Sequence, residues 1–339
     1  MARSAWRWLL AVGAAACAGG APQLRASEPP AQLQVRRVAE ILARHHPSHA
    51  PLDAATAARA HARLLHALDP ATDCTAARAG LQADAAQVAA ALRQGDFSFV
   101  VRAARTCAGR ELTGGEAQTL ALDALAGAYD PFSHYLDPAA LDRRRAGTHA
   151  GATQLARGRM LERAGMRVAW IELPSFYLRP RHSASADVAS IARQLHARGA
   201  QLLVLDLRGN GGGVVAEALA LASALLGGGA LAHERDAAGR VRVLHGPIRE
   251  RAWHGPLVLI IDRGTASMAE LFAAALQDRA RALLVGERSY GKGLAQTLVL
   301  LGSPLGTSQG AVEVSERAFY RLDGSVLQGR GVVPDVALS

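Results

Sequence analysis

Lys292 is the only lysine in this 339-residue chain, although Lys and Arg together number 38. Arginine stays protonated in proteins and cannot take up a proton, whereas a lysine removed from water can lose its charge near neutral pH. A lone lysine among arginines is therefore a place to look for acid-base chemistry, although composition alone leaves open that one surface lysine survived. Its setting is Tyr290-Gly291-Lys292-Gly293, with Gln296 following on an apolar run. A Gly-Lys-Gly loop can also meet phosphate, but the upstream glycine and downstream hydroxyl of the nucleotide-binding loop are missing.

Two further stretches carry possible chemistry. Thr265-Ala266-Ser267-Met268-Ala269-Glu270 lies at a helix entry after an apolar strand-like run. Ser267 is there either an N-cap that satisfies an orphan amide or an exposed nucleophile on a strand-to-helix turn. Asp206-Leu207-Arg208-Gly209-Asn210-Gly211-Gly212-Gly213 also falls between a strand-like and a helical stretch. Glycines let its backbone approach a ligand, and amides at a helix start suit a phosphate or a developing oxyanion; a plain turn is the alternative. The dinucleotide fingerprint fits badly, because the glycine spacing differs and no acidic residue follows where one is needed. Taken together the three sites make an acyl-transfer set: a hydroxyl, a base that Arg cannot replace and a glycine turn. A histidine base would have to be His245 or His254, and neither lies in a motif.

Positioning such a set requires a rigid scaffold, and the periodicity supplies one. Short apolar runs at Val168 to Leu173, Leu202 to Leu207, Leu257 to Ile261 and Ala282 to Val285 read as strands. Helical spacing at Ala186 to Arg198, Val214 to Leu226 and Ala269 to Gln277 separates them, which predicts a layered α/β domain. Upstream, Val35, Val38 and Leu42, then Leu81, Ala85, Val88 and Leu92, then Leu120 and Leu125 fall at helical spacing. Breaks at Pro47, Asp69-Pro70, Gly95 and Gly114-Gly115 divide this region into about five helices. Its histidines His45, His46, His61 and His66 sit among Ala and Arg and read as solvated. Asp130 to Pro138 closes it as a turn-rich segment, and the polar residues 143–166 read as a linker.

A net charge of +9 invites a nucleic-acid partner, but the arginines are scattered, Arg143 to Arg145 is their one run, and aromatic residues make up 4%. A solvated positive surface with no nucleic-acid partner is the reading that follows. The three cysteines show no CxxC and no histidine spacing for a metal. At the N-terminus Arg3 and Arg7, the apolar stretch Trp8 to Ala18 and a small-residue region ending near Ala26 make a signal peptide over residues 1–26. Ala14-Ala15-Ala16-Cys17 is a poor lipoprotein box, so a soluble exported protein, without an integral membrane segment after signal removal, is preferred to one anchored at Cys17. Export would leave Cys74 and Cys107 where pairing is permitted.

From about Arg167 onward the chain resembles the carboxyl-terminal processing peptidases, or tail-specific proteases. The resemblance rests on Asp206 to Gly213, on Asp262 to Glu270 with Leu276-Gln277-Asp278, on Val285-Gly286-Glu287 through Gly291-Lys292-Gly293 to Gln296, and on Gly329 to Asp335. The 25-residue interval from Ser267 to Lys292 and the 4-residue interval to Gln296 agree with that family. The resemblance implies a crotonase-like α/β core over residues 167–339, an all-α N-terminal domain over 27–142 and a serine endopeptidase that needs no cofactor and no metal. It further implies Ser267 as nucleophile, Lys292 as general base, Gln296 as its orienting residue and an oxyanion hole from Gly213 and Met268, with Gly212 the alternative. Asp278 matches a supporting carboxylate. The expected partners are protein or peptide substrates, with room for an adaptor, in the periplasm or another extracytoplasmic space. About thirty residues separate Tyr135 from Arg167, too few for the PDZ module of that family, so residues 143–166 stand in its place. A non-catalytic peptide-binding or scaffold protein on the same fold is the alternative, and an acyl-CoA enzyme of that core would need a carboxylate in place of the Ser-Lys pair.

Overall fold

The structure is a computed structural model that describes residues 30–69, 84–150, 154–248, 250–302 and 309–338. The proposed signal peptide, Cys17 and Cys74 lie outside the described residues; Cys107 takes part in a disulfide. Five helices precede the α/β region among the described residues: α1 Pro30–His45, α2 Ala54–Leu68, α3 Ala85–Gln94, α4 Ser98–Ala108 and α5 Gly114–Gly127. Their boundaries have local causes. Asp53 caps α2 through the Thr56 amide, Thr113 and Glu116 form a reciprocal capping box on α5, and Gly95 and Gly109 end α3 and α4 in the left-handed conformation.

A six-stranded sheet forms the centre of the α/β region. It contains β2 Arg157–Arg163, β3 Met166–Glu172, β6 Leu202–Asp206, β9 Leu257–Ile261, β10 Leu283–Gly286 and β13 Val336–Ala337 in the order β13-β10-β9-β6-β3-β2. All neighbours are parallel except β2, which runs antiparallel to β3. Helices α7 Ala184–Ala197, α8 Val215–Leu226 and α9 Met268–Asp278 alternate with these strands, close to the spans the periodicity predicts. Leu203 and Leu205 on one face of β6 are fully buried and Val204 on the other is buried too, as a strand covered on both faces requires. Each such leucine contributes on the order of 2 kcal/mol by leaving water.

The periodicity does not reveal a second sheet. It joins β1 His134–Leu136, β12 Ala311–Tyr320, β7 Ala230–Asp236 and β8 Val241–His245 in that order, with β11 Leu294–Leu300 also on β12. Helix α9 touches both sheets, at β10 and at β7, so every residue from Met268 to Leu276 is buried. The second sheet also packs against the N-terminal helices: Val35, Leu42, Leu64, Leu92 and Leu122 share one core with Leu301 of the loop after β11 and with Val312 and Val314 of β12. The helical region is thus closed by strands from the far end of the chain.

The linker expected over residues 143–166 is not one. Helix α6 runs Pro138–Ala150, and Arg157–Arg163 is the edge strand β2, paired residue by residue with β3. The segment reads as featureless because an edge strand exposed at every position but Met160, with Arg or Glu at four of its seven residues, has no buried face to create an alternating pattern.

Candidate active site

The C-terminal ends of three adjacent parallel strands supply the three stretches singled out from sequence. The glycine turn follows β6, the Ser267 turn follows β9 and the lysine loop follows β10. Ligands of open parallel sheets characteristically bind beyond these strand ends. The first two turns are stitched together: Ala266 N–H donates to Asn210 O at 2.9 Å, Gly209 N–H to Asp262 Oδ1 at 2.9 Å, and Thr265 Oγ1 to Leu207 O at 2.9 Å.

Ser267 occupies the N-cap of α9 with φ 56° and ψ −121°. A non-glycine residue there costs about 1–3 kcal/mol and persists only where its surroundings impose it. Glycine at 212 permits the close approach, since a Cβ at that position would lie 3.0 Å from both Met268 N and Ser267 Cβ. The Gly212 amide donates to Asn210 Oδ1 at 2.9 Å, whereas the amides of Gly213 and Met268 make no hydrogen bond to the described residues. Of the two glycines considered for an oxyanion site, Gly213 therefore has the available donor.

Lys292 Nζ is half-buried and donates to Gln296 Oε1 at 2.6 Å. Removal from water pushes the lysine pKa down from its ordinary value; Arg144 acts in the same sense, while Glu313 and Asp130 oppose it. No direct hydrogen bond joins Lys292 Nζ to Ser267 Oγ. Gln296 lies where the β11–β12 register shifts between Ala295 and Gln296, a bulge that re-aims its side chain. The terminal glycine motif braces the loop: Gly329 N–H donates to Gly291 O at 2.8 Å, and Gln328 Oε1 accepts from Gly293 N–H at 2.9 Å.

One residue at the centre has a role that its motif does not suggest. Glu270 is fully buried, and its Oε2 accepts both the Ser267 amide at 2.8 Å and the Lys292 amide at 2.7 Å. Its Oε1 accepts from Ser289 Oγ at 2.6 Å and from Gly291 N–H at 2.7 Å. A single carboxylate thus fixes the main chain of the serine turn and of the lysine loop. The available signal was an acid three residues after a helix-entry serine, which sequence reasoning takes for a capping box alone.

Other assignments change. Asp278 sits at the opposite end of α9 from Ser267, about 15 Å along the helix axis, and holds Arg321 through Nε at 2.9 Å. It fastens the helix end to the end of β12 and does not reach the serine. His245 and His254 are exposed, outside this cluster. In the N-terminal region His46 is not solvated: it is 8% exposed and its Nε2 lies 2.9 Å from Asp130 Oδ2, because α1 packs against the turn that ends the helical region. His45 pairs with Glu316 at 3.2 Å, and His61 stands edge-on to the Phe99 ring.

The model for peptidase family S41 matches residues 167–338. The tail-specific protease of Haemophilus influenzae is 35% identical over 180 residues, 51% of this chain and 25% of that protein. The chloroplastic C-terminal processing peptidase of Tetradesmus obliquus is 33% identical over 175 residues, 52% of this chain and 36% of that protein. The matched part thus spans about a quarter to a third of the length of these curated relatives. Among solved structures, the photosystem II D1 C-terminal processing protease shares the fold with a TM-score of 0.57, at 18% identity, over 92% of this chain and 93% of that one.

Proposed function

The chain belongs to peptidase family S41, and from that premise we propose that it is a serine endopeptidase hydrolysing peptide bonds in extracytoplasmic proteins through a Ser267 acyl-enzyme. The observation that carries this reading is the Glu270 carboxylate. It ties the backbone of a strained serine to that of the chain's only lysine, a juxtaposition that a peptide-binding scaffold has no need of.

In the proposed reaction Ser267 Oγ attacks the scissile carbonyl carbon while neutral Lys292 Nζ takes the hydroxyl proton. Desolvation lowers the lysine pKa and so favours the neutral amine, and the Ser267 to Lys292 hydrogen bond forms when substrate excludes water. The carbonyl oxygen, becoming an oxyanion, accepts from the Gly213 and Met268 amides. Lys292 then passes its proton to the leaving amine, and water activated by the same amine hydrolyses the ester. The crotonase-like description suits the parallel core with its strand-end site.

Export follows from the basic, apolar and small-residue order of residues 1–26. Among the described residues no helix is long and apolar enough to cross a membrane. The curated relatives are named for tail-specific or C-terminal processing. In this chain α6 and β2 occupy most of the stretch between Leu136 and Met166, so any choice of chain ends would be made without a PDZ module in that stretch.

The test is digestion of reduced, carboxymethylated protein by wild type and Ser267→Ala, together with labelling by a fluorophosphonate. Wild type is expected to cleave and to label, and Ser267→Ala to lose at least about 10³-fold in rate. An inert, unlabelled wild type, or full activity in Ser267→Ala, would sink the proposal.

A further inference from the structure

The turn Asp130-Pro131-Phe132-Ser133, which the serine and lysine motifs leave unused, reaches the proposed base from outside the family match. The Phe132 carbonyl accepts from Gln296 Nε2, and the Phe132 ring lies 5.3 Å from Lys292 Nζ, within cation–π range. We propose that Phe132 is a positioning residue for Lys292. Its carbonyl sets which end of the Gln296 amide faces the lysine, and its ring receives the ammonium charge that Lys292 gains during catalysis. The proposal rests on the Ser-Lys reading above and adds a component to it.

The carbonyl argument is one of polarity. A backbone oxygen can only accept, so Gln296 must turn its NH₂ toward Phe132 and its Oε1 toward Lys292, which donates to it at 2.6 Å. A flipped amide would present N–H to the amine and occupy the lone pair that has to take the serine proton. The bulge at Ala295/Gln296 and the Phe132 carbonyl thus act on the same side chain from two directions.

The turn is built to hold this position. Asp130 Oδ1 accepts from the Phe132 amide at 2.7 Å and the Ser133 amide at 3.0 Å, and Oδ2 accepts from Ser133 Oγ at 2.6 Å. Ser315 of β12 adds Oγ to Asp130 Oδ1 at 3.2 Å and its amide to Ser133 Oγ at 3.1 Å, while His46, just after α1, contacts Oδ2. Ser133 and Ser315 are fully buried. The Phe132 ring also leans on Tyr290 of the lysine loop, with centroids 6.5 Å apart. The charged groups that act on Lys292 are Asp130 on this turn, Arg144 on α6 and Glu313 on β12.

Because Lys292 is the only lysine, ¹³Cε-lysine labelling of the full chain gives one protein resonance whose titration reports this amine without reference to activity. In Phe132→Leu the charged amine loses the ring, so the midpoint falls by about half a pH unit. Phe132→Tyr keeps the ring and the wild-type midpoint. Gln296→Glu cannot donate to the Phe132 carbonyl and pairs with the ammonium, so its midpoint rises. Activity has its own signature. Above the midpoint kcat/KM of Phe132→Leu falls about threefold, because the amine becomes charged only in the transition state. Well below it, where Lys292 is charged at the outset, wild type and variant match. A Phe132→Leu midpoint within about 0.1 unit of wild type, or a loss equal at every pH, overturns the proposal. If wild type neither cleaves nor labels, the peptidase reading fails while the resonance still decides whether Phe132 faces the amine.

Discussion

The nucleophile and the base are held by different parts of the molecule. Ser267 stands on a turn between β9 and α9, its neighbours are the glycine turn after β6, and all of these belong to one parallel sheet and its helices. Lys292 leaves the same sheet at β10 but finds its partners on the second sheet and on a turn that closes the N-terminal helices: Gln296 on β11 and Phe132 before β1. A strained serine turn needs a rigid local scaffold, which neighbouring strands provide. A desolvated amine needs surroundings that cover it and fix one hydrogen bond, which takes groups from several directions. Among the described residues, Glu270 is the one side chain that touches both arrangements through backbone amides.

The largest expected effect comes from the base. Lys292→Arg keeps a positive charge but removes the group that can be neutral, so kcat/KM should fall by about 10⁴-fold, comparable to loss of a member of a catalytic triad. In wild type the lysine pKa is lowered by burial, so activity should rise with pH through a midpoint below that of an ordinary lysine. A pH–rate profile measures it, and a rising limb that persists in Lys292→Arg would assign the base elsewhere.

Next is the joint between the two arrangements. Glu270→Gln is close in volume but replaces one acceptor oxygen with an NH₂ group, leaving two of four buried donors facing a donor. At about 1–3 kcal/mol per unpaired buried group, stability should fall by about 2–6 kcal/mol and kcat/KM by about 10³-fold. Urea unfolding and steady-state kinetics on the same preparation check both. A variant that loses stability but keeps its turnover would mean that the serine turn and lysine loop hold their relation without the carboxylate.

The division between the two arrangements also explains what the sequence made legible. Strands such as Leu257 to Ile261 are continuous apolar runs ending at turn chemistry, and Ser267 and Lys292 are legible by residue type and spacing. Phe132 acts partly through a main-chain carbonyl, which leaves no trace in residue type. His46 and Asp130 lie 84 residues apart, and no local period connects them. The strand Arg157–Arg163 is charged and exposed, so it lacks the alternation by which strands are found. Glu270 is visible as a capping acid, but its second partner arrives from a loop about twenty residues later, through amides that every residue possesses.

A smaller effect isolates the oxyanion side. Gly213 has φ +141°, and a Cβ there would come within 2.5 Å of Phe176 O. Gly213→Ala therefore has to rotate its peptide, and the amide proposed to receive the oxyanion turns with it. Removing one such donor elsewhere costs about 10²–10³-fold in kcat, and about 10² is expected here with KM little changed. The same loss appearing in KM alone would mean that the glycine turn binds substrate without serving the transition state.

The smallest effect tests whether the far end of α9 belongs to either arrangement. Asp278 pairs with Arg321, and both are largely buried, so Asp278→Asn removes the charge from one side of a shielded pair and leaves Arg321 less well compensated. A loss on the order of 1–3 kcal/mol in stability follows. The helix stays packed along its whole length between two sheets, so the serine end about 15 Å away does not sense the change, and sites so far apart without shared partners act additively. Turnover at a temperature well below the transition should stay within about twofold of wild type. A drop matching that of Gly213→Ala would show that α9 transmits its C-terminal anchoring to Ser267, and the nucleophile would then depend on the second sheet as the base does.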